Sequence, residues 1–297
     1  MCAVTRSRQW SVSPSLVRRL TLASLVANVL IVITGGLVRL TGSGLGCPDW
    51  PSCTGESYTV TREMGIHGAI EYGNRILAAL VILTVGATLL ATLLRRPRDR
   101  RLVLLAALLV AGVLGQAVVG GITVLTGLNP YVVAAHFLVS MAALAAAYFL
   151  WARAAGFQAE AAAGSVRWLG IAVVVVTIAV LTIGTIVTGS GPHAGDPQTP
   201  RTGFDPELVA QLHTDAVFLL VGLSLAAWLA LRAIGASRRA VTAAAILVGA
   251  ELAQGVIGFV QYFTALPVGL VAAHMAGACA VWLAALHFFA TTRGRPA

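Results

Sequence analysis

Eight apolar stretches, each long enough to cross a lipid bilayer as a helix, leave this chain few ways to fold. They fall at approximately 16–40, 67–94, 102–126, 130–152, 167–188, 206–232, 240–264 and 267–290. About 20 helical residues span the hydrocarbon layer, and a helix satisfies its backbone polar groups internally where no water can reach them. The composition leads to the same place: 58% of residues are hydrophobic and only 10% are charged, against about 25% charged in soluble chains. A soluble enzyme or a nucleic-acid-binding domain is excluded. The first stretch is too long, and continues too specifically, to be a cleaved signal peptide.

The charges then orient the helices. All 20 basic residues are Arg, against 11 acids, for a net charge of +9. Arg6, Arg8, Arg18 and Arg19, the five in 95–101, two in 153–167, three in 232–239, and Arg293 and Arg295 fall on one side. Arg39, Arg62, Arg75 and Arg201 fall on the other. Arginine accumulates on the cytoplasmic side, so both termini are expected in the cytoplasm of a bacterial inner membrane. The basic excess is therefore a topology signal and calls for no acidic partner. Asp49, Glu56, Glu63, Glu71, Asp196, Asp205, Glu207 and Asp215 gather at the outer face, around two long loops, 41–66 and 189–205. An outward-facing site is expected.

The chain also repeats itself. Thr41-Gly42-Ser43-Gly44 returns as Thr188-Gly189-Ser190-Gly191, and Gly115-Gln116-Ala117-Val118-Val119-Gly120 as Ala253-Gln254-Gly255-Val256-Ile257-Gly258. Val133-Ala134-Ala135-His136 returns as Val271-Ala272-Ala273-His274, 138 residues on. The expected fold is all-α: two tandem four-helix bundles, 1–153 and 154–297. An even number of spans gives both copies one orientation, with a pseudo-twofold axis along the membrane normal.

The repeat singles out four positions. His213 precedes His274 by 61 residues, and Asn74 precedes His136 by 62. All four are expected six to eight residues inside the outer helix ends, about 9–12 Å deep. A lone intramembrane histidine is usually a buried polar group bonded to a neighbouring helix. Three at one depth, in repeat-related places, instead suggest a clamp for a planar macrocycle, since bundle interiors hold cofactors and axial histidine is a standard haem ligand. Zinc would want cysteine or carboxylate companions.

Gly35-Gly36-Leu37-Val38-Arg39-Leu40-Thr41-Gly42-Ser43-Gly44-Leu45-Gly46-Cys47-Pro48-Asp49-Trp50-Pro51-Ser52-Cys53 resembles the first span and outer loop of the haem A synthase family. Ile70-Glu71-Tyr72-Gly73-Asn74-Arg75 and the two Val-Ala-Ala-His motifs are similar to it as well, and the resemblance covers the whole chain. It implies an oxidoreductase that converts haem O into haem A, for cytochrome oxidase, by successive hydroxylation of a porphyrin methyl group. It further implies haem b bound in the second half by His213 and His274, and substrate haem O bound in the first half at His136. The family's other substrate-site histidine falls on Asn74, a poor iron ligand, so one haem face is expected to stay open. His67, about 10 Å away along the axis, does not replace it.

Glu71 shares a helix face with Asn74. It is either a carboxylate paired with Arg75 or, as the resemblance implies, a catalytic group beside the reacting methyl; its repeat mate is Ala210. Cys47 and Cys53, six residues apart on the oxidising side, are expected as a disulfide, with a structural or a redox-active role both open. Cys2 and Cys279 read as unpaired. Arg39, Arg75 and Arg201 either bind haem propionates through the guanidinium fork or snorkel at the interface. Glu251 and Gln254, mid-span, are expected to face the interior. His193 reads as solvated and His287 as structural. Haem O synthase is the expected partner, and no nucleic acid is. A b-type cytochrome that only relays electrons would use the same histidine clamp, but it does not account for Glu71 and Asn74 breaking the repeat in one half only. A transporter would also carry parallel repeats, but with polar or broken helices at the midplane of both halves, where only Glu251 and Gln254 qualify.

Overall fold

A computed structural model of the chain describes residues 11–157 and 164–293. Arg6, Arg8, Arg295 and Cys2 lie outside the described residues. Eight helices carry the fold: α1 (Pro14–Leu40), α2 (Gly65–Leu94), α3 (Arg100–Leu125), α4 (Pro130–Ala154), α5 (Gly164–Ser190), α6 (Pro206–Ala233), α7 (Arg238–Phe263) and α8 (Val268–Thr292). Each is long and apolar enough to span a membrane, and the protein is a multi-pass membrane protein. A 3-10 turn at Arg62–Met64 leads into α2.

The helix starts follow from local chemistry. Ser13, Asp99, Asn129, Asp205 and Ser237 accept hydrogen bonds from first-turn N–H groups, satisfying donors that a helix end leaves orphaned. Proline occupies the first position of α1, α4 and α6, where it has no N–H to lose. The Asp99 cap also accepts a two-pronged pair from Arg153, at 2.8 and 2.9 Å, tying the start of α3 to the end of α4.

The helices close into two rings. In the first, α1 packs on α2, α2 on α3, α3 on α4 and α4 back on α1; α5 to α8 close in the same order. Between the rings, α1 meets α8, α4 meets α5, and α4 meets α8. This pattern is compatible with a twofold between α4 and α8. The repeat extends to backbone torsions. The outer turns after α3 and α7 hold Gly127 and Leu128, and Ala265 and Leu266, all at φ of 58 to 61°. An L-residue in this left-handed region costs about 1–2 kcal/mol, so the second half tolerates at Ala265 what glycine relieves in the first.

Helix α8 joins the two cores: Cys279, Trp282 and Leu286 pack into the first-half apolar cluster, whereas Val281, Ala285 and Phe288 pack into the second. Trp282 donates its indole N–H to the Met141 carbonyl at 2.9 Å, and the Tyr148 hydroxyl pairs with His287 Nδ1 at 2.9 Å. His287 thus has the structural role expected. Cys279 is buried and free.

Candidate haem sites

Each of the three histidines rests on a glycine of the adjoining helix. A β-carbon on Gly120 of α3 would lie 3.2 Å from Cε1 of His136 on α4. One on Gly184 of α5 would lie 3.1 Å from Cε1 of His213 on α6, and one on Gly258 of α7 3.2 Å from Cε1 of His274 on α8. A β-carbon at these places would crowd the ring, which would have to give by a few tenths of an ångström. His213 and His274 stand on diagonal members of the second ring, since α6 and α8 do not touch. His136 and His274 follow the first residue of their helices by six positions and His213 by seven, about 9–11 Å of axial rise.

The rings share a second property. Nδ1 of His136, His213 and His274 is buried with no hydrogen-bond partner among the described residues. Buried polar atoms in native proteins nearly always have one, so an orphan recurring at three repeat-related places marks residues whose purpose is not mutual support within the helices.

Asn74 completes the set on α2. Its Nδ2 lies 4.0 Å from where a β-carbon on Gly35 of α1 would be, and its Oδ1 accepts a 2.8 Å hydrogen bond from Thr34 Oγ1. It lies nine positions into its helix, about 13 Å, because α2 starts at Gly65, two residues earlier than its apolar pattern suggests. His67 is elsewhere: its Nδ1 pairs with Ser43 Oγ at 2.9 Å, in the wall of an outer cleft of about 500 Å³ with Thr41, Met64 and Asp196.

Glu71 is buried and fully engaged. Oε2 accepts the Cys47 N–H at 2.7 Å, and Oε1 pairs with Arg75 at 2.6 Å. The same guanidinium donates to the carbonyls of Cys47 and Ser52, each at 2.9 Å. Cys47 and Cys53 form a disulfide, and both cysteines are 0% exposed. The loop that it closes lays Trp50 across Gly121 of α3, next to the Gly120 seat of His136. Glu71, Arg75 and the disulfide thus fasten a roof over the first ring.

The other rim arginines fasten loops in the same manner. Arg39 donates to the carbonyls of His193 and Thr188, at 2.6 and 2.9 Å; Arg201 donates to those of Thr199 and Pro192, at 2.7 and 3.0 Å. His193, expected in solvent, is half-buried, with Nε2 paired to the Leu266 carbonyl at 2.9 Å. Its loop is drawn inward because Arg39 needs acceptors at the rim.

Two further pairs escaped sequence reasoning. Gln116 Nε2 donates to the carbonyl of His136 at 2.9 Å, and Gln254 Nε2 to that of His274 at 2.6 Å. Gln116 also meets Ser140, which donates to the same His136 carbonyl at 3.0 Å. Both glutamines sit in the repeated motifs at the histidine offset of 138, and that shared offset was the available signal. Second, Glu251 Oε1 accepts from Ser224 at 2.8 Å; the two are 3% and 1% exposed, and Glu251 Oε2 has no partner among the described residues. Glu251 faces the interior, as expected.

The chain also resembles known proteins. Over residues 18–286 the chain matches the COX15-CtaA family, described as cytochrome oxidase assembly protein. It is similar to the heme A synthase of Lysinibacillus sphaericus, 31% identical over 43% of this chain and 41% of that one. It is also similar to the heme A synthase of Geobacillus kaustophilus, 33% identical over 37% of this chain and 34% of that one. A protoheme IX farnesyltransferase of Thermus thermophilus is 30% identical over 87% of this chain and 45% of its own length. The chain therefore spans less than half the length of these relatives. With a match running through all eight helices, the chain belongs to the COX15-CtaA family of cytochrome oxidase assembly proteins.

Proposed function

We propose that the protein is a haem A synthase: it oxidises one methyl group of haem O to a formyl group by successive hydroxylations, giving haem A for cytochrome oxidase. The observation that carries this reading is the set of three glycine-seated histidines, with Asn74 at the fourth repeat-related place, in two rings. Family membership and the relatives named heme A synthase support it.

The second half, 154–297, takes haem b as a resident cofactor through His213 and His274. The residues fit: the rings stand on diagonal helices, each packs closely against a glycine of the adjoining helix, and their Nδ1 atoms have no partner among the described residues, so neither ring is committed to another helix. Haem b, when bound, supplies one-electron exchange. Gly184 and Gly258 set the positions of the two rings, and Gln254 holds the His274 backbone.

The first half, 1–153, takes haem O against His136, whose backbone is held by Gln116 and whose ring is set by Gly120. Two hydroxylations of a methyl group, each a two-electron oxidation that inserts an oxygen atom and draws its oxidant from outside the chain, give a hydrated aldehyde, and loss of water leaves the formyl group. Glu71 lies about one turn from Asn74. Held by the Cys47 N–H and Arg75, it accepts a proton or stabilises positive charge developing at the methyl carbon. The buried disulfide braces the loop that fixes this carboxylate. Arg39 and Arg75 pair with haem propionates through the donors that the loop carbonyls leave free.

Both termini lie in the cytoplasm of a bacterial inner membrane, as the arginine distribution indicates. A haem O-producing prenyltransferase is the partner; the farnesyltransferase relative, with a stretch similar to most of this chain in one polypeptide, supports that pairing. Co-expression with a haem O source, followed by haem extraction and chromatography, tests the function. Haem A is expected; unchanged haem O would refute the reading and leave an electron-relaying cytochrome.

A further inference from the structure

We propose that Asn74 acts in the first-half haem site as a fixed hydrogen-bond donor to a small ligand of the iron, and not as an iron ligand itself. This rests on the reading that haem binds there through His136. Asn74 occupies the repeat position of His213, against α1 as His213 is against α5. The one atom of a carboxamide suited to hold iron is its oxygen, and Oδ1 is already occupied by the Thr34 hydroxyl at 2.8 Å. That bond fixes the amide plane and leaves Nδ2, which has no hydrogen bond to the described residues, as the free end. The amide nitrogen carries two protons and no available lone pair.

Reach leads to the same conclusion. Asn74 Nδ2 is two bonds from its Cβ, whereas Nε2 of a histidine is three, so the amide stops short of where the ring nitrogen of His213 would be. The other side of the site cannot close the gap, because Gln116, Ser140 and Gly120 hold His136 in place. Haem iron held at His136 would therefore lack a second protein ligand on the Asn74 side, where a free N–H donor would face a small ligand of the iron. In the second half, the histidine at the same position fills that space. The exchange of one residue thus separates a site that admits a ligand from one that does not.

The test uses the full-length protein with haem in both halves, the His213/His274 haem serving as an internal six-coordinate standard. Carbon monoxide added to the reduced protein is expected to bind the first-half haem only. Asn74→Leu should still bind it, with the C–O stretch moved to higher frequency, and cyanide affinity of the oxidised protein should fall about tenfold, as loss of one charge-assisted hydrogen bond implies. Thr34→Val, which frees the amide to turn its oxygen towards the ligand, should shift the stretch in the same direction. Asn74→His should abolish carbon monoxide binding and give a second low-spin haem. A parent protein that is low-spin in both halves, and that loses one low-spin signal in Asn74→Leu, would overturn the proposal by making Asn74 a ligand. An unchanged C–O stretch in Asn74→Leu would overturn it too. If His136→Ala instead leaves first-half haem loading and carbon monoxide binding intact, the failure lies with the haem-site reading.

Discussion

The two halves of this protein share a backbone and differ in where they place their polar groups. Both seat side chains on glycines and hold a histidine carbonyl with a glutamine. Above this shared frame, the first half adds Glu71, Arg75 and a disulfide-closed loop; the Glu71 position is Ala210 in the second. Below it, the second half adds the buried Ser224–Glu251 pair, where the first has Val85 and Val113, also buried. The outer chemistry belongs to the half proposed to transform haem. The buried carboxyl belongs to the half proposed to keep it. A duplicated scaffold can specialise by changing a few residues one or two turns from a common site, because the packing that fixes the helices is left alone.

Substitutions that convert one half towards the other can break this comparison. The largest effect is expected from His274→Ala, which removes a ligand from the second-half clamp. The purified protein should lose the haem b spectrum entirely, whereas His136→Ala should retain it; loss of both spectra from either variant would show that the halves do not bind haem independently. Next is Glu71→Gln, which keeps the shape but not the charge. Turnover should fall by about 10²–10⁴-fold, the range for a missing acid–base group, with haem b retained and haem O or a hydroxylated intermediate accumulating on chromatography. Normal haem A output would leave Glu71 only its role of fastening the loop.

A smaller effect is expected at Glu251. Ser224→Val strips the carboxyl of its one partner and should destabilise the protein by about 1–3 kcal/mol, the cost of an unsatisfied buried polar group. The double variant Ser224→Val with Glu251→Val, which copies the first half, should recover that loss in thermal unfolding. A double variant no better than the single would mean that the carboxyl serves a purpose beyond this pair. The smallest effects are expected from Gln116→Leu and Gln254→Leu, about 1 kcal/mol each for one hydrogen bond. They sharpen the comparison, since Ser140 still donates to the His136 carbonyl. Gln254→Leu should therefore perturb its haem spectrum more than Gln116→Leu perturbs the first-half one.

Much of this was legible in the chain. Helix lengths follow from bilayer thickness, and every helix end lay within a few residues of where its apolar run stopped. His136, His213 and His274 stood out because a repeat turns sequence spacing into equivalent depth. Gln116 and Gln254 lay in the repeated motifs in plain view, but a glutamine gives no sign of whether it faces lipid, a loop or a backbone carbonyl. The arginines show a related limit. Charge at the rim allowed propionate binding or snorkelling, and gave no sign that Arg39, Arg75 and Arg201 also donate to loop carbonyls, as irregular backbone at that level requires.

The sequence alone determined the eight helices, their pairing into two similar halves and the four repeat-related positions proposed to hold haem. These depend on periodicity, length and offset, all properties measured along the chain. The tertiary structure decided which glycine seats which histidine, that Glu71 fastens a loop, and that Thr34 holds the oxygen of Asn74. Each joins residues of different helices or of a helix and a loop, and such contacts exist only once crossing angles and rotations are fixed. For Asn74 the difference is whole: the chain shows a histidine replaced, and only the neighbouring helix shows which end of the amide is left free.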